Sequence, residues 1–552
     1  MPAHAQVETV PTHHPVYTFL KRMEVKGFIG RYHDAVLPIS RERVGEYLSD
    51  LHKERENLTA SENGSLADFL SEFQYDISGS TEGYHSLIES DQQTFGGAIA
   101  EEISNREKFL YVYHDSSVSF FANGLVTLDA RWIDGDALGK DRSVFFQFGG
   151  RLRGTAFDRV GYSLQATNAQ FWGSRALLQR DRLINQSFAL RTPDAKNFDF
   201  AEGYVRYDGD IFSVQIGRER LLWGNGYEQK LTLSENVRVY DFIRADAQYK
   251  SIKYTFVHAW LLGRKSFIEV THPEDTSFTF YEPVVADKYV AAHRIEFSFP
   301  GLFDIGAQEM VVYSNRAPDL AYLNPLNVIE SAQRSREERD NVFWGFDIQT
   351  HFIRGVEFTG SVLLDDIHFG RAFANSWVNR YAVQAGVMLA DPLGIDNTSF
   401  MMEYTRVEPF VFSHNRSRDN DFGSLGQPLG PWIGPNADSW FFRADYFPER
   451  NLAFSVRVSL SRQGENVFDS TGTLIYNAGG NILLPHRDQD PLTKSFLSGT
   501  LIKSRRVEFI GLFELINQLW LEGRYAYEAE ENATLPSTTN NHNINFQVRM
   551  EL

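Results

Sequence analysis

The feature that most constrains this chain is a two-residue alternation of apolar and polar side chains, repeated through most of its length. From Ala453 to Ser461, Phe454, Val456, Val458 and Leu460 alternate with Ser455, Arg457, Ser459 and Ser461. The final residues repeat the pattern, with Ile544, Phe546, Val548, Met550 and Leu552 set against Asn545, Gln547, Arg549 and Glu551. Successive strand residues face opposite sides, so each such segment has one greasy and one wet face. Many segments of about ten residues, parted by turn signals, predict a transmembrane β-barrel. Closure leaves no unpaired strand edge in lipid.

Residues 109–552 hold about eighteen such segments. They fall near 117–132, 143–155, 159–170, 199–208, 210–219, 240–250, 251–263, 289–299 and 303–314. The second half gives 343–353, 356–367, 378–389, 397–409, 437–448, 451–464, 500–513, 517–529 and 542–552. The connections sort by parity. After even-numbered segments they are short: Asp208-Gly209-Asp210, Lys250/Ser251, Pro300-Gly301, Arg354-Gly355 and Pro448-Glu449-Arg450. After odd-numbered ones they are mostly long: 171–198, 220–239, 264–288, 315–342, 410–436 and 465–494. Short turns at one end and long loops at the other are the asymmetry of an outer-membrane barrel. The count puts both chain ends on the short-turn, periplasmic side. Inward faces carry both signs, with Arg506 beside Glu508 and Glu522 beside Arg524, so a polar, ion-paired lumen is expected.

Residues 1–108 do not alternate. Pro15 opens a segment in which Val16, Phe19, Leu20 and Met23 recur at helical spacing, and Gly27 ends it. Ser40 caps a second helix with Val44, Tyr47, Leu48 and Leu51 on one face. Ser65 is the candidate cap of a third, carrying Leu66, Phe69, Leu70 and Phe73, and residues 77–106 read as a connector. The fold class expected is therefore mainly β: a closed antiparallel transmembrane barrel of about 18 strands over 109–552, with a small N-terminal α-helical periplasmic domain and connector over 1–108. That helical part is expected to sit under the barrel, plug it or bind a partner. Ala3-His4-Ala5 has the small-x-small form of a signal-peptidase site, or is a chance run of three residues.

Composition narrows the function. Aromatics reach 14%, with 44 Phe and 24 Tyr, as lipid-facing positions and interfacial girdles require, although a large sugar-binding β protein would also be aromatic-rich. No cysteine is present, which removes disulfides, thiol catalysis and Cys-ligated metals. A formal charge of -18 argues against nucleic-acid binding through a bulk basic surface. The fifteen His residues show no HExxH spacing, and no GxSxG elbow occurs. Asp365-Asp366 with His368 is the best acid–base cluster, but adjacent strand residues face opposite sides. No enzyme activity, cofactor or metal is expected.

Three loop regions carry motifs. Gly217-Arg218-Glu219-Arg220-Leu221-Leu222-Trp223-Gly224-Asn225-Gly226-Tyr227 sets two glycines around Trp223. Glycines allow tight turns, and Trp223 and Tyr227 can stack on sugar rings; the plain alternative is an interfacial aromatic in a tight loop. Asn324-Pro325 precedes Asp340-Asn341 and Gly345-x-Asp347. A third region runs from Glu403-Tyr404 through Ser413-His414-Asn415 to Pro428-Leu429-Gly430 and Gly434-Pro435-Asn436-Ala437. These polar loops suit a hydroxyl-rich ligand, and equally suit loops that fold inward and close the mouth. Arg334, Arg336 and Arg339 in one loop, and Arg416 and Arg418 in another, could bind carboxylates bidentately. Glu337, Glu338, Asp340, Asp419 and Asp421 stand among them and could simply neutralise them.

The order of these motifs resembles the Wzi capsule-assembly family, over most of 109–552. The resemblance implies an outer-membrane barrel with a periplasmic helical part, a lectin that holds surface polysaccharide on the cell. It would carry family motif positions onto Gly217, Arg218, Trp223, Gly224, Gly226, Asn324, Pro325, Asp347, His414, Gly434, Pro435 and Asn436. The candidate polysaccharide contacts are Trp223, Asn225, Tyr227, Asn324, Arg334, Arg336, His414, Asn415, Arg416 and Asn436. Expected partners are capsular or exported polysaccharide, outer-membrane lipid and lipopolysaccharide, and the polysaccharide export machinery, with the protein a monomer. The alternative is a porin-like channel for a sugar or other polar solute.

Overall fold

The alternating segments become the staves of a closed wall. The structure, a computed structural model, describes residues 6–30, 32–88, 107–187, 197–272, 275–335, 337, 340–366 and 375–552. The first staves are β1 (Ser119–Gly135), β2 (Gly139–Ala156), β3 (Val160–Gly173), β4 (Asn197–Gly209), β5 (Phe212–Glu219) and β6 (Tyr240–Tyr249). β7 (Ile252–His272), β8 (Asp275–Phe299), β9 (Phe303–Ser314), β10 (Asn341–Thr350), β11 (Val356–Asp366) and β12 (Arg380–Ala390) follow. β13 (Thr398–Val407), β14 (Ala437–Glu449), β15 (Leu452–Glu465), β16 (Thr500–Ile516), β17 (Leu519–Asn532) and β18 (Ser537–Glu551) complete the ring. Each pairs antiparallel with its sequence neighbours, and β18 closes on β1 with Ile544 opposite Trp132 and Met550 opposite Val126. The eighteen expected strands are all present.

Alternation decides what faces out. Phe454, Val456, Leu460, Ile544 and Phe546 are exposed, as are Leu164, Ile216, Ile252, Ile348 and Phe358 around the wall. A continuous apolar belt on a folded surface needs an apolar solvent, and acyl chains supply it. Ser455 and Arg457 point inward instead, with Ser455 bonded to Asp445 and Arg457 3.9 Å from Glu508.

Two sequence expectations need correction. Residues 264–288 were expected to form a loop, but β7 and β8 run on as a paired ribbon to His272 opposite Asp275. The β-branched and aromatic residues of Phe267-Ile268-Glu269-Val270-Thr271 and Phe278-Thr279-Phe280-Tyr281 favour extended backbone to the end of the excursion. The third helix begins at Ala60, not after Ser65. Thr59 and Glu62 form a reciprocal capping box, and Ser65 lies inside the helix.

The N-terminal helices are α1 (Val16–Val25), α2 (Arg41–Lys53), α3 (Ala60–Glu72) and α4 (Gln74–Ser78). Ser40 accepts a hydrogen bond from the Arg43 N–H, and Gly27 turns the chain after α1 at φ +80°. Val16, Leu20, Met23, Val44, Leu48, Leu51, Leu66 and Phe73 make their core. Burying each large side chain stabilises by roughly 1.5–3 kcal/mol. Residues 89–106 of the expected connector lie outside the described residues.

This segment sits in the short-turn end of the barrel. The Gly355 N–H bonds the Val25 carbonyl at 2.8 Å. Ser61 donates to the Phe447 carbonyl, and Lys108 Nζ to the Asn517 carbonyl. Lys26 pairs with Asp391 at 2.7 Å and Asp68 with Arg450. Residues further inside the wall are engaged too: Lys21 lies 2.7 Å from Glu357, and Glu8 2.9 Å from Arg153. The helices therefore plug this end of the bore. Both Gly124 and Leu552 meet here through paired backbone hydrogen bonds.

Candidate functional site: a filled bore and a long-loop face

The bore is closed from the other end by the chain itself. The 220–239 loop folds inward between β5 and β6. Trp223 has no solvent exposure, and Leu222–Trp223 pairs with Val36–Leu37 of the helical segment. Leu231, Leu233 and Val237 join it in an apolar core with Phe242, Val257, Met310, Phe343, Phe412 and Phe422. Asn225 donates to Asp347, which also takes both terminal nitrogens of Arg294. The Tyr227 hydroxyl donates to Glu357 at 2.9 Å, and Glu403 accepts the N–H groups of Tyr227 and Gln229. A Cβ at Gly226 would stand 1.8 Å from the Gln229 carbonyl oxygen, so the turn admits no side chain there.

This geometry corrects the reading of the first motif. Trp223, Asn225 and Tyr227 are struts inside the barrel and offer no face to a sugar outside it. The expected polar, ion-paired lumen is present, with an apolar core packed into it. Against β6–β14 that core lies beside buried ion pairs such as Arg294 with Asp347 and Lys21 with Glu357. Against β15–β18, Arg506 pairs with Glu508 at 2.8 Å and Arg524 with Glu522 at 2.7 Å.

The remaining candidates divide. His414 and Asn436 are buried. His414 Nδ1 accepts the Ser417 N–H, and burial, followed by the nearby Arg380, pulls its pKa down to about 4. Asn436, at φ +54°, donates to the Gly464 and Ser498 carbonyls and accepts from the Leu497 N–H, tying its own loop to the end of β15 and to the loop before β16. Gly434 also has positive φ. Asn324, Arg334, Asn415 and Arg416 are exposed on the long-loop face. Asn324 accepts the Leu326 N–H, and Arg334 pairs along its helix with Glu330. Arg336 and Arg339 lie outside the described residues, as do Glu338, His368 and Ala3-His4-Ala5.

Sequence reasoning missed one pair. Trp377, before β12, stacks on His486, from the loop after β15, with centroids 3.9 Å apart and planes 8° from parallel. Both are half-buried, with buried Phe410 against them. Nothing local signals it, because the two rings come from separate loops. Asp365 and Asp366 divide as their strand position requires. Asp365 is buried and accepts the Phe412 N–H at 2.7 Å, while Asp366 faces out, and Arg380 pairs with both. Among the described residues Glu24, Asp304 and His351 bring potential metal-ligand atoms together. Asp304 hydrogen-bonds the His351 Nε2 at 3.1 Å, and Glu24 stands 3.8 Å from Nδ1 while accepting a hydrogen bond from Gln349, so the cluster joins helix to wall.

An apolar belt, short turns at one end, long loops at the other and a bore filled by its own chain define an occluded β-barrel of the outer-membrane type. The chain belongs to the family Capsule assembly protein Wzi, whose profile matches residues 136–544. Among solved structures it resembles Wzi of Escherichia coli, described as an outer membrane protein involved in group 1 capsule assembly and a carbohydrate-binding β-barrel. The TM-score is 0.56 at 12% identity, covering 97% of this chain and 98% of that one, a likeness of fold. OprD of Pseudomonas aeruginosa gives 0.39 at 9% identity, covering 78% and 95%, and OpdK of the same organism 0.43 at 12%, covering 78% and 99%. No curated protein sequence matches the chain.

Proposed function

We propose that this protein binds capsular or exported polysaccharide and holds it at the cell surface, with the long-loop face outward and the helical segment in the periplasm. The observation that carries the reading is the filled bore. A barrel whose bore is occupied by its own chain offers no through-path for a solute, which turns the reading from transport to binding, and family membership makes capsule assembly the task. Asn324, Arg334, Asn415 and Arg416 offer exposed hydrogen-bond donors on the long-loop face. Trp377 and His486 offer a ready-made aromatic surface between them. Each contact is weak, but a repeating polymer meets them many times, and multivalency retains the chain. Within the ring every strand is paired on both sides, which leaves the wall itself no edge for a second copy and is in keeping with a monomer.

The test is a strain lacking the gene, with surface polysaccharide separated into cell-bound and released pools. Attachment predicts an unchanged total shifted into the medium, and restoration by the wild-type chain. Unchanged pools would sink the anchoring role.

A further inference from the structure

The helical segment does not fill the bore completely. A chamber of about 390 Å³ remains between α1, α3 and the wall of β14–β18, within the range of small-ligand sites. It reaches the turn residues Arg450, Asn451 and Asn517, and so extends to the short-turn end. Its lining inverts the charge of the molecule. In a chain of formal charge -18, this surface carries nine arginines against six carboxylates.

The imbalance is sharpest on the barrel wall. Glu508 draws Arg506 at 2.8 Å and Arg524 at 3.5 Å, which also pair with Glu528 and Glu522, whereas Arg457 has only its long contact to Glu508, at 3.9 Å. Arg549 has no carboxylate partner among the described residues and lies over the Trp520 ring, 4.6 Å from its centroid. A guanidinium without a carboxylate is costly to enclose unless an anion answers it. His13, from the helical segment, lines the same space and is solvent-exposed within it.

We propose that this chamber is a binding site for an acidic saccharide, its carboxylate or phosphate held in the fork of Arg549, its ring beside Trp520, and Arg457 adding positive charge further along the same wall. Arg presents parallel donors that match a planar oxyanion, and an indole beside it accepts the apolar face of a sugar. Leu452, Ile510 and Leu512 line the same cavity and supply the dry surface such a ring requires. The site is separate from the long-loop face, and either assignment can fail without the other.

Calorimetry on the purified full-length chain in detergent tests it, with a glucuronic-acid disaccharide, its neutral glucose counterpart and inorganic phosphate. The acidic disaccharide should bind at least about tenfold more tightly than the neutral one, and added salt should weaken it. Arg549→Gln should lose about tenfold or more, and Arg549→Lys should recover part of the loss. Phosphate much weaker than the disaccharide assigns the chamber to an acidic sugar, and phosphate equally tight assigns it to a simple oxyanion group. Heat-modifiable gel mobility establishes that each variant is folded, and Arg457→Gln replaces Arg549→Gln if the latter is not. No binding of either anion, or binding untouched by both substitutions, overturns the proposal.

Discussion

Asp347 stands where three separate parts of the chain meet. It joins β10 to Arg294 of β8 and to Asn225 of the inward loop, all out of solvent. Asp347→Ala leaves the Arg294 guanidinium buried without its main partner, a loss of roughly 3–5 kcal/mol for a buried ion pair. Thermal unfolding in detergent should register it as a clearly lowered midpoint. His414 makes a pH-dependent contribution. Folding draws its pKa from 6.5 to about 4, mainly by burial. The unfolded chain therefore takes up the proton first, so the stability tied to neutral His414 is complete above about pH 6.5 and lost as the pH falls towards 4. Unfolding measured across that window should show a shallower slope in His414→Gln than in wild type. At this scale the sequence was legible for backbone and poorly legible for side-chain direction. The glycines around Trp223 did announce a tight turn. Whether that indole met water or a core depended on where the loop folded, and alternation says nothing about a loop.

Strands were the most legible elements, because every stave must obey the same two-residue rule over its whole length. The parity of the connections then fixed which end of the barrel was which. The helical segment was legible as helices, but Thr59-x-x-Glu62 outcompeted Ser65 as the cap, since two reciprocal bonds satisfy more free N–H groups than one. The 220–239 connection was the least legible element. Its length matched a surface loop, yet its leucines, valine and tryptophan supply much of the lumenal core. Replacing residues 224–236 by a short Gly-Ser linker should therefore open a path past that core. Planar-bilayer recordings are expected to show no stable pore for the wild type and ion conductance for the linker variant. A wild-type chain that conducts steadily would contradict an occluded bore.

For the molecule as a whole, the two ends are closed by different means. Helices with their own core and ion pairs to the wall fill one end, and an inward-folded loop capped by its neighbours fills the other. Between them the bore packs an apolar core and buried ion pairs along one side and holds an arginine-rich chamber along the other. The helical segment touches most of the short turns, which ties the position of the N-terminal residues to the shape of the ring. One further dimension follows from the ribbon of β7 and β8. Past Leu262 these two strands pair only with each other, while β6 and β9 have already ended. At about 3.3 Å per residue, the stretch Lys265–His272 gives the ribbon a length of roughly 25 Å past its last neighbour. That length approaches the hydrocarbon thickness of the membrane itself, about 30 Å. Along that length, among the described residues, the outer edge of each strand has no strand beside it, so water takes the backbone hydrogen bonds that neighbours supply everywhere else in the wall.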